Sequence, residues 1–218
     1  MDRKKVALLI LMFLPLAAAL IFFPHLPNSI PAHYNAEGTM DRMGPKTETM
    51  IIPFVTILLG AIGMIIGSIA EKKGELEPEN RNAYFISCII VAVVMNILNA
   101  FQLYTAFTGT IQITGVRFDE SIFLLYAVGI IFIAVGVILP WLKPNSIIGL
   151  RTKWSMKNEI TWKKCQKFAA KVSASEGVFA IVLAVTAPGY VAFTVWLAVV
   201  FAGLLIEVYY SYRIAQKF

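Results

Sequence analysis

Residues 121–142 read SIFLLYAVGIIFIAVGVILPWL, a segment that contains no charged side chain. A helix rises about 1.5 Å per residue, so crossing the hydrocarbon core of a membrane takes roughly 20 apolar residues. In lipid every backbone polar group must be paired within the protein, and a helix achieves this within one segment. The segment therefore predicts a membrane-spanning α-helix.

Five more apolar segments meet or approach this length. They cover residues 6–23, 50–70, 83–107, 172–187 and 190–212, and the fifth span is the weakest because it is short and contains Glu176. The chain of 218 residues is 58% hydrophobic and only 15% charged, whereas soluble domains are nearer a quarter charged. The alternation typical of a membrane β-barrel is missing. We predict an all-α bundle of six transmembrane helices, forming a single membrane domain over residues 1–218.

The basic residues predict how the bundle is oriented. Lys and Arg residues that flank membrane spans stay on the cytoplasmic side. With the N-terminus inside, only Arg42, Lys46 and Arg117 lie outside, and the other sixteen of the nineteen Lys and Arg residues lie inside. Both termini are therefore expected in the cytoplasm. The net charge of +6 follows from this membrane-flanking pattern, and no motif indicates direct nucleic-acid binding.

The longest external segment, residues 24–49, predicts an ordered outer loop. Four prolines forbid a continuous helix, and two glycines allow tight turns. Polar side chains are concentrated within nine residues, namely His33, Asn35, Glu37 and Asp41. Either a lid over the bundle or a binding site for an extracellular ligand fits this pattern. His and carboxylate groups can ligate divalent ions, but no second His or Cys follows at helical spacing, so no metal site is predicted.

The inner segment, residues 143–171, predicts a turn followed by a basic amphipathic helix. Pro144, Asn145 and Gly149 favour a turn after the fourth span, and Ser155 is suited to capping a new helix. When the side chains are placed at 100° per residue, they form two opposite faces, one basic and one mostly apolar. The basic face contains Lys157, Lys163, Lys164, Lys167 and Lys171. The apolar face contains Trp162, Cys165, Phe168, Ala169 and Val172. We expect this helix to lie at the inner membrane surface and run into the fifth span, with Trp154 and Trp162 at the interface. It either anchors the bundle or docks a cytoplasmic partner.

Polar residues inside the predicted spans need partners, because an unpaired charge in mid-bilayer costs on the order of 3 kcal/mol. Asn96, Asn99 and Gln102 share one face of the third span. Either they form hydrogen bonds between helices or they line a polar path for a ligand. Glu176 and Glu207 lie toward the cytoplasmic ends of their spans. Glu176 is predicted either to face the bundle, paired with Arg151 or a lysine, or to extend to the surface.

Two motifs resemble those of the SdpI-type membrane immunity proteins. The first is LPNSIPAHYN at residues 26–35, followed by Gly38, Asp41 and Lys46. The second is NSIIGLRT at residues 145–152, followed by Trp154, Glu159 and Trp162. They occur in the family's order with the expected spans between them, so the resemblance covers nearly the whole chain.

The resemblance implies a protein of the bacterial cytoplasmic membrane that protects its producer against a secreted toxic peptide and can also signal inward to a cytoplasmic regulator. The candidate binding residues outside are His33, Asn35, Glu37, Gly38, Asp41 and Lys46. The candidate residues inside are Asn145, Gly149, Arg151, Thr152, Trp154, Glu159 and Trp162. The identity of the toxin does not carry over.

Two other functions were weighed against immunity. A small transporter for a peptide or lipid-like compound would use the polar face of the third span and the two glutamates, but no inverted repeat or pair of broken helices supports it. An intramembrane enzyme is not expected, since no nucleophile–base pair and no metalloprotease motif is found. No cofactor is predicted.

Overall fold

Six long helices account for most of the chain. The computed structural model describes residues 2–34, 40–109 and 120–218. The helices are α1 (Arg3–Phe22), α2 (Ile51–Lys72), α3 (Pro78–Thr108), α4 (Glu120–Ile138), α5 (Glu159–Thr186) and α6 (Gly189–Ala215). All six are long and apolar enough to cross a membrane, which confirms the number of spans predicted from the sequence.

Local sequence explains where several helices begin and end. The Asp2 side chain accepts a hydrogen bond from the backbone N–H of Lys4 at 3.2 Å and so caps α1. Pro78 opens α3 at its first position, where a missing N–H is harmless. Gly109 ends α3 with a φ of 64°, a left-handed conformation that glycine adopts without strain.

The amphipathic helix and the fifth span form one helix, as predicted. It runs without interruption from Glu159 to Thr186, so residues 159–171 form its first turns. The predicted amphipathicity is confirmed, because Trp162, Cys165 and Ala169 are buried while the lysines are exposed. The predicted cap was wrong: Asn158, not Ser155, accepts the backbone N–H of Thr161 at 2.8 Å.

The all-α prediction is corrected in the outer loop. Residues 24–49 contain a two-stranded antiparallel hairpin formed by β1 (Ser29–Tyr34) and β2 (Met40–Pro45). Short 3-10 turns flank it, Phe23–His25 before β1 and Lys46–Met50 after β2. The pairing is irregular around His33. The protein is mostly helical, with one small sheet at one end.

Glycines permit the closest helix contacts. Gly63 and Gly67 of α2 lie against Cys88, Tyr84 and Phe85 of α3, and this small-residue spacing permits close helix contact. A tighter contact lies between α4 and α5. A Cβ on Gly129 would lie 2.9 Å from the Gly177 carbonyl oxygen, so the two backbones nearly touch.

Side-chain contacts place both chain termini at one end of the bundle. Lys5 in the first turns of α1 forms an ion pair with Glu71 near the end of α2 at 2.5 Å. The Lys157 ammonium, before α5, donates to the carbonyl of Ala215, the last residue of α6. We call this the basic end and the opposite one the hairpin end. Residues 142–158, the connecting loop between α4 and α5, lie at the basic end.

Candidate functional site

The hairpin is held on the helix ends by a small apolar cluster. Leu26, just before β1, and Ile30 in β1 are both buried against Leu103 and Ala106 of α3. The Lys46 backbone N–H donates to the carbonyl of Asn28 at 3.2 Å and closes the base of the hairpin. An isolated two-stranded hairpin is marginally stable in water. Packing on α3 therefore gives this one a fixed position.

A two-point ion pair fixes the second strand. The Arg42 guanidinium donates to both carboxylate oxygens of Glu48, at 2.9 and 3.0 Å, and to the carbonyl of Ala32 at 3.3 Å. Gly44 makes room for the Glu48 carboxylate, which would meet any Cβ at that position. Bidentate pairs add orientation as well as attraction, so strand β2 and the turn that follows it act as one unit.

The predicted outer site is only partly assembled in the described residues. His33 and Asp41 come together, with Nδ1 of the imidazole 2.6 Å from a carboxylate oxygen, and both side chains are about half exposed. The Lys46 ammonium lies 4.8 Å from the centre of the Phe23 ring instead of joining them. Asn35, Glu37 and Gly38 lie outside the described residues. The geometry leaves a polar pair facing outward on a fixed scaffold.

The connecting loop is internally hydrogen-bonded. The Asn145 side chain accepts the backbone N–H groups of Ile147 and Ile148 at 2.8 and 2.9 Å and donates to the Lys143 carbonyl at 2.8 Å. Asn80, at the start of α3, pairs with both backbone groups of Lys143, accepting its N–H at 2.9 Å and donating to its carbonyl at 3.2 Å. The motif asparagine therefore builds the loop through its side-chain oxygen and one of its amide N–H groups.

Gly149 and Gln166 form a second structural unit in this loop. The Gln166 side chain is buried in α5 and pairs with both backbone groups of Leu150, accepting its N–H at 2.9 Å and donating to its carbonyl at 3.0 Å. Gly149 has a φ of 107°, and a Cβ there would lie 2.7 Å from the Gln166 oxygen. Glycine is required for both conformation and space.

Thr152 and Ser155 attach the loop to α6. Each hydroxyl accepts the backbone N–H of the other residue at 2.9 Å, and the Ser155 hydroxyl donates to the Leu150 carbonyl at 2.7 Å. The Thr152 hydroxyl also shares a hydrogen bond with Ser211 of α6 at 2.9 Å. Ser155 and Ser211 are buried, and the half-buried Thr152 contacts both of them.

The motif tryptophans differ in their surroundings. The Trp162 ring is buried, and its N–H donates to the Leu142 carbonyl at 2.7 Å, so the prediction that it lies at the membrane interface was wrong. Trp154 packs edge-on against Tyr212 of α6, with ring centres 5.4 Å apart. Glu159 is exposed in the first turn of α5, where the helix dipole favours a carboxylate.

Arg151 differs from the buried residues of the second motif. It is exposed, and within the part of the chain that the structure describes it forms no hydrogen bond or ion pair. The predicted pairing with Glu176 was wrong. Among the motif side chains at the basic end, Arg151 is therefore available to an external partner.

Three polar residues of α3 bind backbone groups, as predicted for interhelical hydrogen bonds. Pro15 removes the N–H that would pair with the carbonyl of Leu11 four residues earlier, and the Asn96 amide donates to that carbonyl at 2.8 Å. Asn99 donates to the Pro15 carbonyl at 3.4 Å. Gln102 donates to the carbonyl of Glu48 at 3.3 Å and links α3 to the base of the hairpin.

The two intramembrane glutamates face each other across α5 and α6. Glu176 is 7% exposed and Glu207 is 9% exposed, so the prediction that Glu176 faces the bundle is confirmed and the surface alternative is wrong. The Glu176 carboxylate fills the space that a Cβ on Gly203 would occupy. Glu207 lies one turn beyond Gly203 on the same face, within reach of the Glu176 charge. No ion pair to either carboxylate is found among residues 2–34, 40–109 and 120–218.

Sequence reasoning missed several residues that hold the connecting loop. Gln166 and Ser211 are buried, and so is Asn80 at the start of α3. Gln166 is surrounded in sequence by lysines, but its position four residues after Trp162 places it on the buried face. That spacing was the available signal.

Comparisons with known proteins agree with this arrangement. Residues 142–212 match the family described as the SdpI/YfhL protein family, and residues 10–57 match a domain of unknown function, DUF1648. The chain is 24% identical over 215 residues to the immunity protein SdpI of Bacillus subtilis (strain 168), which covers 99% of this chain and 97% of that protein. The chain is thus similar to the SdpI/YfhL family over residues 142–212 and to the Bacillus subtilis protein over nearly its whole length. No solved structure matches it.

The family region corresponds to one structural unit of the bundle. Its 71 residues begin at Leu142, which accepts the Trp162 hydrogen bond, and end at Tyr212, which packs on Trp154. The SdpI/YfhL match therefore encloses the connecting loop, α5 and most of α6. The DUF1648 match covers most of α1, the hairpin and the start of α2.

Within the described residues, no group of three or more His, Cys, Asp or Glu side chains is placed to hold a metal ion. The His33–Asp41 pair alone offers too few ligands for a typical protein metal site. The chemistry available at the two ends is therefore hydrogen bonding and charge. At the hairpin end it is the exposed imidazole–carboxylate pair, and at the basic end it is Arg151 and the lysines of α5.

Proposed function

We propose that the chain is a multi-pass protein of the bacterial cytoplasmic membrane that protects its cell against a secreted toxic peptide. The observation that carries this proposal is the hairpin, an ordered extracellular unit fixed on the ends of α1–α3 with a polar pair facing outward. Binding residues commonly lie on loops that a rigid scaffold positions. The printed name of the Bacillus subtilis relative, an immunity protein, supports the same function.

In this proposal the hairpin end captures the peptide. The His33–Asp41 pair combines hydrogen-bonding groups on an exposed surface, while the Arg42–Glu48 pair keeps the strand in place. The connecting loop joins the two halves of the bundle at the basic end, where Arg151 and the lysines of α5 face the cytoplasm. A cytoplasmic regulator would contact that surface.

The topology can be tested separately from the function. Met43 at the hairpin end is 47% exposed and Met156 at the basic end is 44% exposed. In a background with both native cysteines replaced by alanine, Met43→Cys should react with a membrane-impermeant maleimide in intact cells. Met156→Cys should react only after the cells are opened. Equal labelling of both in intact cells would overturn the orientation.

The function is tested by expressing the full chain in sensitive bacteria and challenging them with a panel of secreted membrane-active peptides. The wild-type chain should raise the inhibitory concentration of at least one peptide by tenfold or more. His33→Ala with Asp41→Ala should abolish this protection at equal membrane abundance, while Lys73→Gln, an exposed change at the basic end, should not. If no peptide in the panel is resisted by cells expressing the wild-type chain, the proposal fails.

A transporter is the second candidate, and the buried Glu176–Glu207 pair favours it. Intramembrane carboxylates often bind protons or cations along a transport path. Purified chain in proteoliposomes would then show peptide flux that depends on a proton gradient and is lost in Glu207→Gln but not in Glu159→Gln. Flux equal to that of empty vesicles would exclude this alternative.

A further inference from the structure

Four lysines at the start of α5 form an unpaired basic surface. Lys163, Lys164, Lys167 and Lys171 are all exposed, and none forms an ion pair among the described residues. Three pairs of them are three or four residues apart, so like charges are neighbours on the helix surface and repel each other. An anion bound between them would relieve this repulsion.

Three of these lysines border a cleft between α4, α5 and α6. The cleft has a volume of about 560 Å³, and its basic rim is formed by Lys164, Lys167 and Lys171. Among the residues that the structure describes, no acidic side chain lines it. A neighbouring cleft of about 940 Å³ shares Lys167 and Pro140 with the first and adds two more lysines, although it also contains two glutamates. The first cleft is therefore the more complementary to negative charge.

The floor of the first cleft is apolar and shallow. A Cβ on Gly136 would lie 2.8 Å from the Ala170 carbonyl oxygen and 2.9 Å from the Ala174 Cβ, so the backbones of α4 and α5 almost touch there. One wall consists of the stacked rings of Phe168 and Tyr210, with centres 3.9 Å apart. A charged rim above an apolar floor fits an amphiphile with an anionic head.

We propose that this cleft binds an anionic phospholipid, with the phosphate between the α5 lysines and an acyl chain along the Gly136–Ala174 seam. Basic pockets between membrane helices are suited to anionic headgroups because the charges are close and partly shielded from water. Trp141, at the end of α4 beside the neighbouring cleft, is 80% exposed, as expected of a ring in the headgroup region. This inference does not depend on toxin immunity.

Lipid retention by the purified full chain tests the proposal. The chain in a neutral detergent is mixed with phosphatidylglycerol, cardiolipin or phosphatidylcholine, and bound lipid is counted by native mass spectrometry. The anionic lipids should bind at least tenfold more tightly than phosphatidylcholine. Lys167→Gln with Lys171→Gln should remove most of that preference, and the matching Lys→Arg changes should retain it.

A control separates the cleft from general basic charge. Lys73→Gln removes an exposed lysine at the same end of the bundle that does not line the cleft, and its lipid affinity should stay within twofold of wild type. Equal retention of phosphatidylcholine would overturn the proposal, as would an unchanged preference in the double glutamine variant. Inorganic phosphate that stabilises the chain against heat as strongly as the anionic lipids would also overturn it.

Discussion

Replacing Gly149 by alanine should destabilise the connecting loop by two separate effects. The φ of 107° at this position is unfavourable for a residue with a Cβ, at a cost of about 1–2 kcal/mol. The new methyl group would also lie 2.7 Å from the buried Gln166 oxygen. Moving that amide breaks its pairing with Leu150, and a buried group left unpaired costs about 1–3 kcal/mol. The expected total is about 2–5 kcal/mol.

Gly74 provides a matched control for the backbone effect. It also has a positive φ, 68°, but a Cβ there would meet no atom within 4 Å. Gly74→Ala should therefore cost only the conformational part, about 1–2 kcal/mol. The measurement is equilibrium unfolding of the purified chain in mixed micelles, followed by tryptophan fluorescence, for wild type and both variants.

A third variant identifies the contact responsible. In Gln166→Ala the amide is gone, so adding Gly149→Ala should cost no more than Gly74→Ala does. The two changes should thus be less than additive, as expected for residues in direct contact. Equal destabilisation by Gly149→Ala and Gly74→Ala in the wild-type background would refute the steric part of the reasoning.

Three further changes test other contacts. Trp162→Phe removes the indole donor to a buried carbonyl and should cost about 1–3 kcal/mol, whereas Trp141→Phe, at an exposed position, should be neutral in the same unfolding assay. Asn96→Ala should lower the free energy of unfolding by about 0.6 kcal/mol. In a Pro15→Ala background this loss should vanish, because the restored N–H of residue 15 can pair with the Leu11 carbonyl. The same loss in both backgrounds would contradict that explanation. Arg42→Lys loses the two-point contact with Glu48 and should speed proteolysis within residues 24–49, while cleavage at the basic end should keep its wild-type rate. If the variant and the wild-type chain are cleaved within residues 24–49 at the same rate, the ion pair does not hold the hairpin in place.

Hydropathy was sufficient to predict the six helices, because a membrane span requires length and apolar composition more than any specific contact. It failed at the start of α5 because the lysines of the first turns lower the average hydropathy of the segment. Those lysines occupy one face only, and Trp162 and Gln166 are buried on another. Periodicity, rather than hydropathy, predicted the amphipathic helix and its continuation into the span.

The hairpin was not predicted because its strands are short and contain proline. Pro31 lies in β1, where an edge strand tolerates the missing N–H. Within the described part of the loop, Leu26 and Ile30 provide the apolar contacts that hold the unit on α3. Two buried side chains in so short a segment do not produce a recognisable alternation, so the fold of this loop depends on contacts that are distant in sequence.

The second motif had been expected to carry function through most of its residues, but the structure uses nearly all of them internally. Asn145 and Thr152 build the loop, Gly149 makes room for Gln166, and Trp162 binds a backbone carbonyl. Because these residues form contacts within the loop, similarity at their positions indicates a shared loop structure as much as a shared ligand. Arg151 and the exposed Glu159 are motif residues whose side chains this explanation does not cover.

One element contacts both ends of the bundle. Helix α3 has 31 residues, a length of about 46 Å at 1.5 Å per residue. Near its C-terminal end Gln102 binds the base of the hairpin, and at its N-terminal end Asn80 binds Lys143 of the connecting loop. We expect peptide binding at the hairpin to shift α3 as a rigid rod and so alter hydrogen exchange in residues 143–158. If hydrogen exchange in these residues stays the same when the chain is saturated with a peptide that it resists, α3 does not transmit the binding. Resistance to the peptide would then depend on capture at the outer surface alone.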